Sequence, residues 1–163
     1  MKKITLLLIT VIASCSLFAH STDLPSVTLK DLNGKDYSIN KNCADKLVIL
    51  TFWATWCSPC LKELAALDEL YADWKAETGV EIIAVSVDDT RTAKRVKPLV
   101  NGKAWDFTIL MDTNQDLKRK LNVGHPPHVF LIYQGKIVYQ HSGYTEGSEK
   151  QLYEELKKYS NKN

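Results

Sequence analysis

"FWATWCSPC", Phe52 to Cys60, sets two cysteines two residues apart directly behind the apolar run "KLVILTFW", Lys46 to Trp53. A nearly continuous apolar run bounded by polar sequence suits a central strand buried on both faces. From Cys57 to Lys75 apolar residues recur at helical spacing (Leu61, Leu64, Leu67, Leu70 and Tyr71, then Trp74), and Gly79 ends the element. The cysteines therefore stand where a buried strand exits into a helix. A helix amino terminus carries unpaired N–H groups and the positive end of the dipole, which stabilise a thiolate at Cys57. Cys60 lies one turn further in, within reach of a disulfide. Pro59 fits the first turn without losing a helix bond, and Ser58–Pro59 forms a stiff spacer between the sulfurs. A permanent structural disulfide and half a zinc site are the competing readings. The next zinc ligands in sequence are His125 and His128, far from finger spacing. Strand exits are where function collects in open α/β sheets, which favours redox chemistry.

Outward from this motif, Val27–Leu32, "NGK" and Tyr37–Ile39 read as a hairpin with an Asn-Gly turn. Val80–Val87 reads as a second buried strand. Thr90–Val100 reads as a helix capped by Asp89 or Thr90. Phe107–Met111 follows as a short strand and Asn114–Leu121 as a short helix. His128–Tyr133, the turn "QGK" and Ile137–His141 make a hairpin, and Glu146–Tyr159 a final helix. Strands alternating with helices and closing in a hairpin predict a three-layer α/β domain, a mixed sheet with helices on both faces. Phe52, Leu50, Ile83, Val85, Phe130 and Ile132 are expected to pack the sheet.

The chain has 163 residues and a formal charge of +2, enough for one domain and too little charge to imply nucleic acid. Lys118, Arg119 and Lys120 read as a solvated helix face. Lys2 and Lys3 before the apolar run Ile4–Ala13, then small residues, read as a secretory signal over 1–21, too short to span a membrane. Residues 22–163 are then the domain, working outside the cytoplasm where disulfides persist. Ala19 and Ser21 suit an ordinary signal peptidase. "IASC", Ile12 to Cys15, resembles a bacterial lipobox, which would place a lipid on Cys15.

From about Leu24 onward the chain resembles the thioredoxin-like fold, and within it the exported thiol–disulfide oxidoreductases of the TlpA/ResA kind. "FWATWCSPC" followed by Glu63 carries the resemblance, with the early hairpin and the central insertion that holds Thr90–Val100 and Phe107–Met111. The resemblance implies that Cys57 attacks a substrate disulfide and Cys60 resolves the mixed disulfide. It implies disulfide-bearing exported proteins as clients, apocytochrome c among the candidates, and a membrane thiol protein as electron donor. No flavin or nicotinamide fingerprint is present, so no cofactor is expected. A monomer without a metal is expected too.

Cytosolic thioredoxins place a buried aspartate six residues before the first cysteine, and Thr51 occupies that position here. The resemblance points instead to Glu63, one turn beyond Cys60, as the base for Cys60. The alternative is a solvent-exposed glutamate favoured by the helix dipole. "VGHPPHVFL", Val123 to Leu131, aligns with the loop that faces the dithiol in this fold, which makes Pro126–Pro127 the cis bond. Such a loop docks an extended substrate peptide. Pro126 has no N–H, so one backbone hydrogen bond to the client is expected to be missing. His125 is either a polar contact beside Cys57 or an exposed loop histidine, and His128 a packing or surface residue. Trp56 resembles the exposed tryptophan beside the family's active sites, and Trp53 is expected partly in the core, both flanking the approach to Cys57. Ser58, Pro59, Trp56 and the loop 125–127 form the expected client surface. Cys43 is expected to be a semi-buried free thiol.

Two other functions compete. Peroxiredoxins share the fold, but their cysteine follows a proline by four positions and a threonine or serine by three, where this chain has Trp53 and Ala54. A non-catalytic binding module is the other, against which the complete "WCSPC" argues.

Overall fold

The computed structural model describes residues 22–160. The expected signal at 1–21, with Cys15 and its lipid, lies outside the described residues. At the centre of the sheet is β4, Leu47–Trp53, buried at all seven positions. Its neighbours are β5, Glu81–Ser86, parallel, and β7, His128–Tyr133, antiparallel. The remaining strands are β1 (Thr22–Asp23), β2 (Thr28–Asp31), β3 (Asp36–Ser38), β6 (Thr108–Met111) and β8 (Lys136–Ser142), in the order β1-β8-β7-β4-β5-β6-β2-β3. The eight strands form one mixed sheet, with helices on both faces. Phe52, Leu50, Ile83, Val85, Phe130 and Ile132 are buried in its core, and Phe52 meets Phe130 edge-on at 6.1 Å.

The long helix α2, Ser58–Thr78, follows β4 and ends at Gly79, whose φ of +70° suits a residue without a Cβ. It lies over the face that carries Thr51 and Trp53, together with the final helix α5, Ser148–Ser160. The hairpin β2–β3 turns through Gly34 at φ +80°, and the Asp31 carboxylate accepts the N–H groups of Asn33 and Lys35. This is the turn expected of "NGK".

Three expectations need correction. Ile39 does not close a strand: it opens the one-turn helix α1, Ile39–Asn42, and is fully buried. The helix expected over Thr90–Val100 starts later, as a 3-10 turn at Ala93–Arg95 leading into α3, Val96–Lys103. Asp89 accounts for the delay. Its carboxylate takes the N–H groups of Arg91 and Thr92, and its carbonyl those of Thr92 and Ala93, so a turn occupies the place of the first helical turn. Pro98 then sits in the first turn of α3, where its missing N–H is harmless. The short helix α4 spans Asp116–Lys120. The buried Asp112 carboxylate, not a residue at the helix end, satisfies the N–H groups of Asp116, Leu117 and Lys118.

Candidate active site

Cys57 is the N-cap of α2, in an extended conformation, and Cys60 lies in the first turn with Pro59 between. The two are joined as a disulfide with their Cα atoms 5.3 Å apart. Cys60 is fully buried, while Cys57 keeps 5% of its surface, which makes Cys57 the more accessible of the two residues. The loop that delivers it is tied from β5. The buried Asp88 carboxylate accepts the Thr55 N–H at 2.8 Å, the Thr55 hydroxyl at 2.6 Å and the Ser86 hydroxyl at 2.9 Å. Cys57 donates its own N–H to the Ala54 carbonyl at 3.0 Å and accepts that of Leu61 at 3.1 Å. Cys57 therefore sits at a fixed point at the positive end of a six-turn helix.

The peptide bond Pro126–Pro127 is cis. In the antiparallel ladder between β4 and β7 the last pair is Phe52 with His128. Pro127 thus follows on opposite Trp53, and Pro126 opposite Ala54, at the sheet end from which Cys57 emerges. The Pro127 carbonyl accepts the Gly143 N–H at 2.8 Å, and Pro126 offers no donor. His125 is exposed on this loop. His128 turns to the β7–β8 hairpin, with Nδ1 2.9 Å from the Ser142 hydroxyl and Nε2 3.3 Å from Gln140. Its ring lies 4.5 Å from that of Phe130, and burial holds its pKa below the ordinary histidine value. The histidine pair expected as a zinc alternative does not converge on the cysteines: among the described residues no group of three or more His, Cys, Asp or Glu side chains could hold a metal.

Glu63 differs from the exposed, first-turn glutamate weighed from sequence. It lies in the second turn of α2, is 3% exposed, and its Oε2 accepts the Thr51 hydroxyl at 2.8 Å. Thr51, at the position where cytosolic thioredoxins carry an aspartate, is thus the hydrogen-bond donor to the carboxylate one turn beyond Cys60.

Trp56 is 59% exposed and Trp53 fully buried, so Trp56 alone of the two borders the approach to Cys57. Trp53 instead meets Trp105 edge-on at 5.6 Å, beside Phe107 and Tyr71 under α2. Ser58 and Pro59 are exposed and form one end of a groove of about 580 Å³ that runs along α2 past Lys62 to Tyr144, Glu146 and Glu149. Cys43 is fully buried rather than semi-buried.

Sequence reading missed His141. It belongs to β8, and its Nε2 stands 3.7 Å from Glu63 Oε1. The register of three strands makes this contact: Thr51 pairs with Val129, and Val129 with His141. No local pattern in the chain encodes that alignment.

Comparison with known proteins agrees with this geometry. The AhpC/TSA family matches residues 21–141. The thiol–disulfide oxidoreductase ResA of Bacillus thuringiensis (strain Al Hakam) is 41% identical over 137 residues, covering 83% of this chain and 76% of the relative. A thioredoxin-like protein of Porphyromonas gingivalis, known from a solution structure, is 47% identical with a TM-score of 0.76 and covers 86% of this chain and 93% of its own. A thiol:disulfide interchange protein from Chlorobium tepidum shares the fold at a TM-score of 0.78 and 24% identity, over 86% of this chain and 97% of its own.

Proposed function

Because the chain belongs to the ResA-like thiol–disulfide oxidoreductases of the AhpC/TSA family, we propose that it acts as a reductant of disulfides in exported proteins. The observation that carries the reading is the asymmetry of the pair: Cys57 caps the helix and is the more accessible residue, and Cys60 is sealed within the first turn. With the pair reduced, Cys57 thiolate attacks a client disulfide. One client sulfur leaves as a thiolate and takes a proton from solvent, and the other forms a mixed disulfide with Cys57. Glu63 then accepts the Cys60 proton. Cys60 attacks the Cys57 sulfur, and the second client thiol departs. The client gains two electrons and two protons, and the enzyme is left as the disulfide seen here.

The client enters along Trp56, Ser58, Pro59 and the 125–127 loop, pairing as a short extended strand. The signal-like segment at 1–21 supports work in the cell envelope. Clients there include disulfide-bearing exported proteins, with the haem-ligating thiols of apocytochrome c as one candidate. A membrane thiol protein resets the enzyme, which acts as a monomer.

The test is equilibration of Cys57–Cys60 against glutathione, read by alkylation and mass. A reductant's potential is expected, nearer about −270 mV than the roughly −120 mV of a strong oxidant. A value at the oxidising end overturns the direction. In parallel, Cys60→Ser is expected to trap mixed disulfides and Cys57→Ser to trap none. Efficient trapping by Cys57→Ser reverses the two roles.

A further inference from the structure

Glu63 is a buried carboxylate with one hydroxyl donor, Thr51, so its other oxygen calls for a second polar partner close by. Among the described residues its one ion-pair partner within 4 Å is His141. Both ring nitrogens of His141 are buried, and neither has a hydrogen-bond partner. A cavity of about 10 Å³ touches Glu63, His141, Tyr144 and Glu149, about the least volume that admits one water. The other titratable groups turned to the imidazole are Tyr139 on its own strand, ring centroids 5.7 Å apart, His128 on β7, and Tyr144 and Glu149 across the cavity.

We propose that His141 is the positioning residue of Glu63, receiving through it the proton that Cys60 gives up. This rests on Glu63 being the base for Cys60. The Cys60 S–H bond breaks and its proton goes to the Glu63 carboxylate, while the sulfur's electron pair closes the bond to Cys57. The Cys57–client bond breaks, and its pair leaves on the client sulfur, which is protonated from solvent. The proton on Glu63 then moves to a ring nitrogen of His141, leaving an imidazolium–carboxylate pair with no net charge. When the enzyme is reduced again, Cys60 takes the proton back along the same route. Without the imidazole the proton stays on the carboxylate, and coupling between the two groups is lost.

The probe is dithiobis(nitrobenzoate) added to the reduced protein. The first thionitrobenzoate is released by Cys57, and the second when Cys60 attacks the mixed disulfide. Glu63→Gln is expected to slow the second release relative to the first. His141→Gln is expected to slow the second release about tenfold near neutral pH. It should also change the pH profile of that step, which the second release reads directly. Imidazole added to His141→Ala, which opens space at the same place, is expected to restore part of the rate. If Glu63→Gln slows the step while His141→Gln keeps the wild-type rate, or loses rate without any change in the pH profile, the proposal falls and the base stands. If Glu63→Gln leaves the second release at the wild-type rate, the base falls and His141 with it.

Discussion

Cys43 and Cys57 are cysteines of the same domain set in different surroundings, one in a sealed pocket and the other at a helix terminus. Cys43 is sealed at the end of α1, where burial pushes its thiol up to about 11, with the Glu81 carboxylate adding to the rise against opposition from Lys46 and a hydrogen bond from Tyr37. At pH 8 only about one molecule in a thousand then carries the Cys43 thiolate, which is the species that alkylates. Reduced native protein treated with iodoacetamide at that pH is expected to take label at Cys57 and leave Cys43 unmodified, with Cys43 labelled once urea is added. Peptide mapping by mass reads both sites. Rapid labelling of Cys43 in the native protein contradicts the sealed environment.

At the scale of elements, Asp88 shows how one strand end holds another's loop. Its carboxylate is fully buried and satisfies three donors, two of them on Thr55, two residues ahead of Cys57. Asp88→Ala strands the Thr55 N–H and both hydroxyls, and is expected to destabilise the protein by about 2–3 kcal/mol in urea unfolding of the oxidised form. Ser86→Ala removes one hydroxyl and should lose about 1 kcal/mol. Equal losses for the two variants would show that the carboxylate is not the hub. Elements such as β4 and α2 were legible because one local signal decides each: a nearly continuous apolar run bounded by polar sequence, or leucines at helical spacing closed by Gly79. The dithiol was legible for the same reason, being carried by adjacent residues, whereas the cis bond was legible only through the fold resemblance, which aligns Pro126–Pro127 with the loop facing the dithiol. The start of α3 was not, because helical spacing runs back past the residues that Asp89 ties into a turn. Ile39 misled because a single buried isoleucine ends a strand or begins a helix with equal ease. The burial of Glu63 and its pairing with Thr51 and His141 depend on packing across α2 and three strands, which no window of sequence contains.

For the molecule as a whole, the sheet places the working end of β4 in the middle of eight strands, laddered on both sides, with β1 and β3 at the edges. Central ladders are the last part of a domain to open. Cys57 thus stands four residues beyond the central strand, on a loop tied by Asp88, with 5% of its residue surface in view. Sulfur exchange needs three sulfurs nearly in line, so the rearrangement falls to the client. On the proposed reading, such an enzyme is expected to sort its clients by how loosely they hold their disulfides, more than by the residues around them. For one disulfide carried in a series of client variants, the logarithm of the reduction rate is expected to fall by one unit for each increase of about 1.4 kcal/mol in the client's own local opening free energy. Hydrogen exchange on the clients supplies that energy, and a rate indifferent to it would mean that the enzyme bends instead. If the dithiol reduces exported clients as proposed, its fixed position makes it a gauge of incomplete folding: a finished protein would pass it untouched, and one still in motion would be reduced and given another attempt.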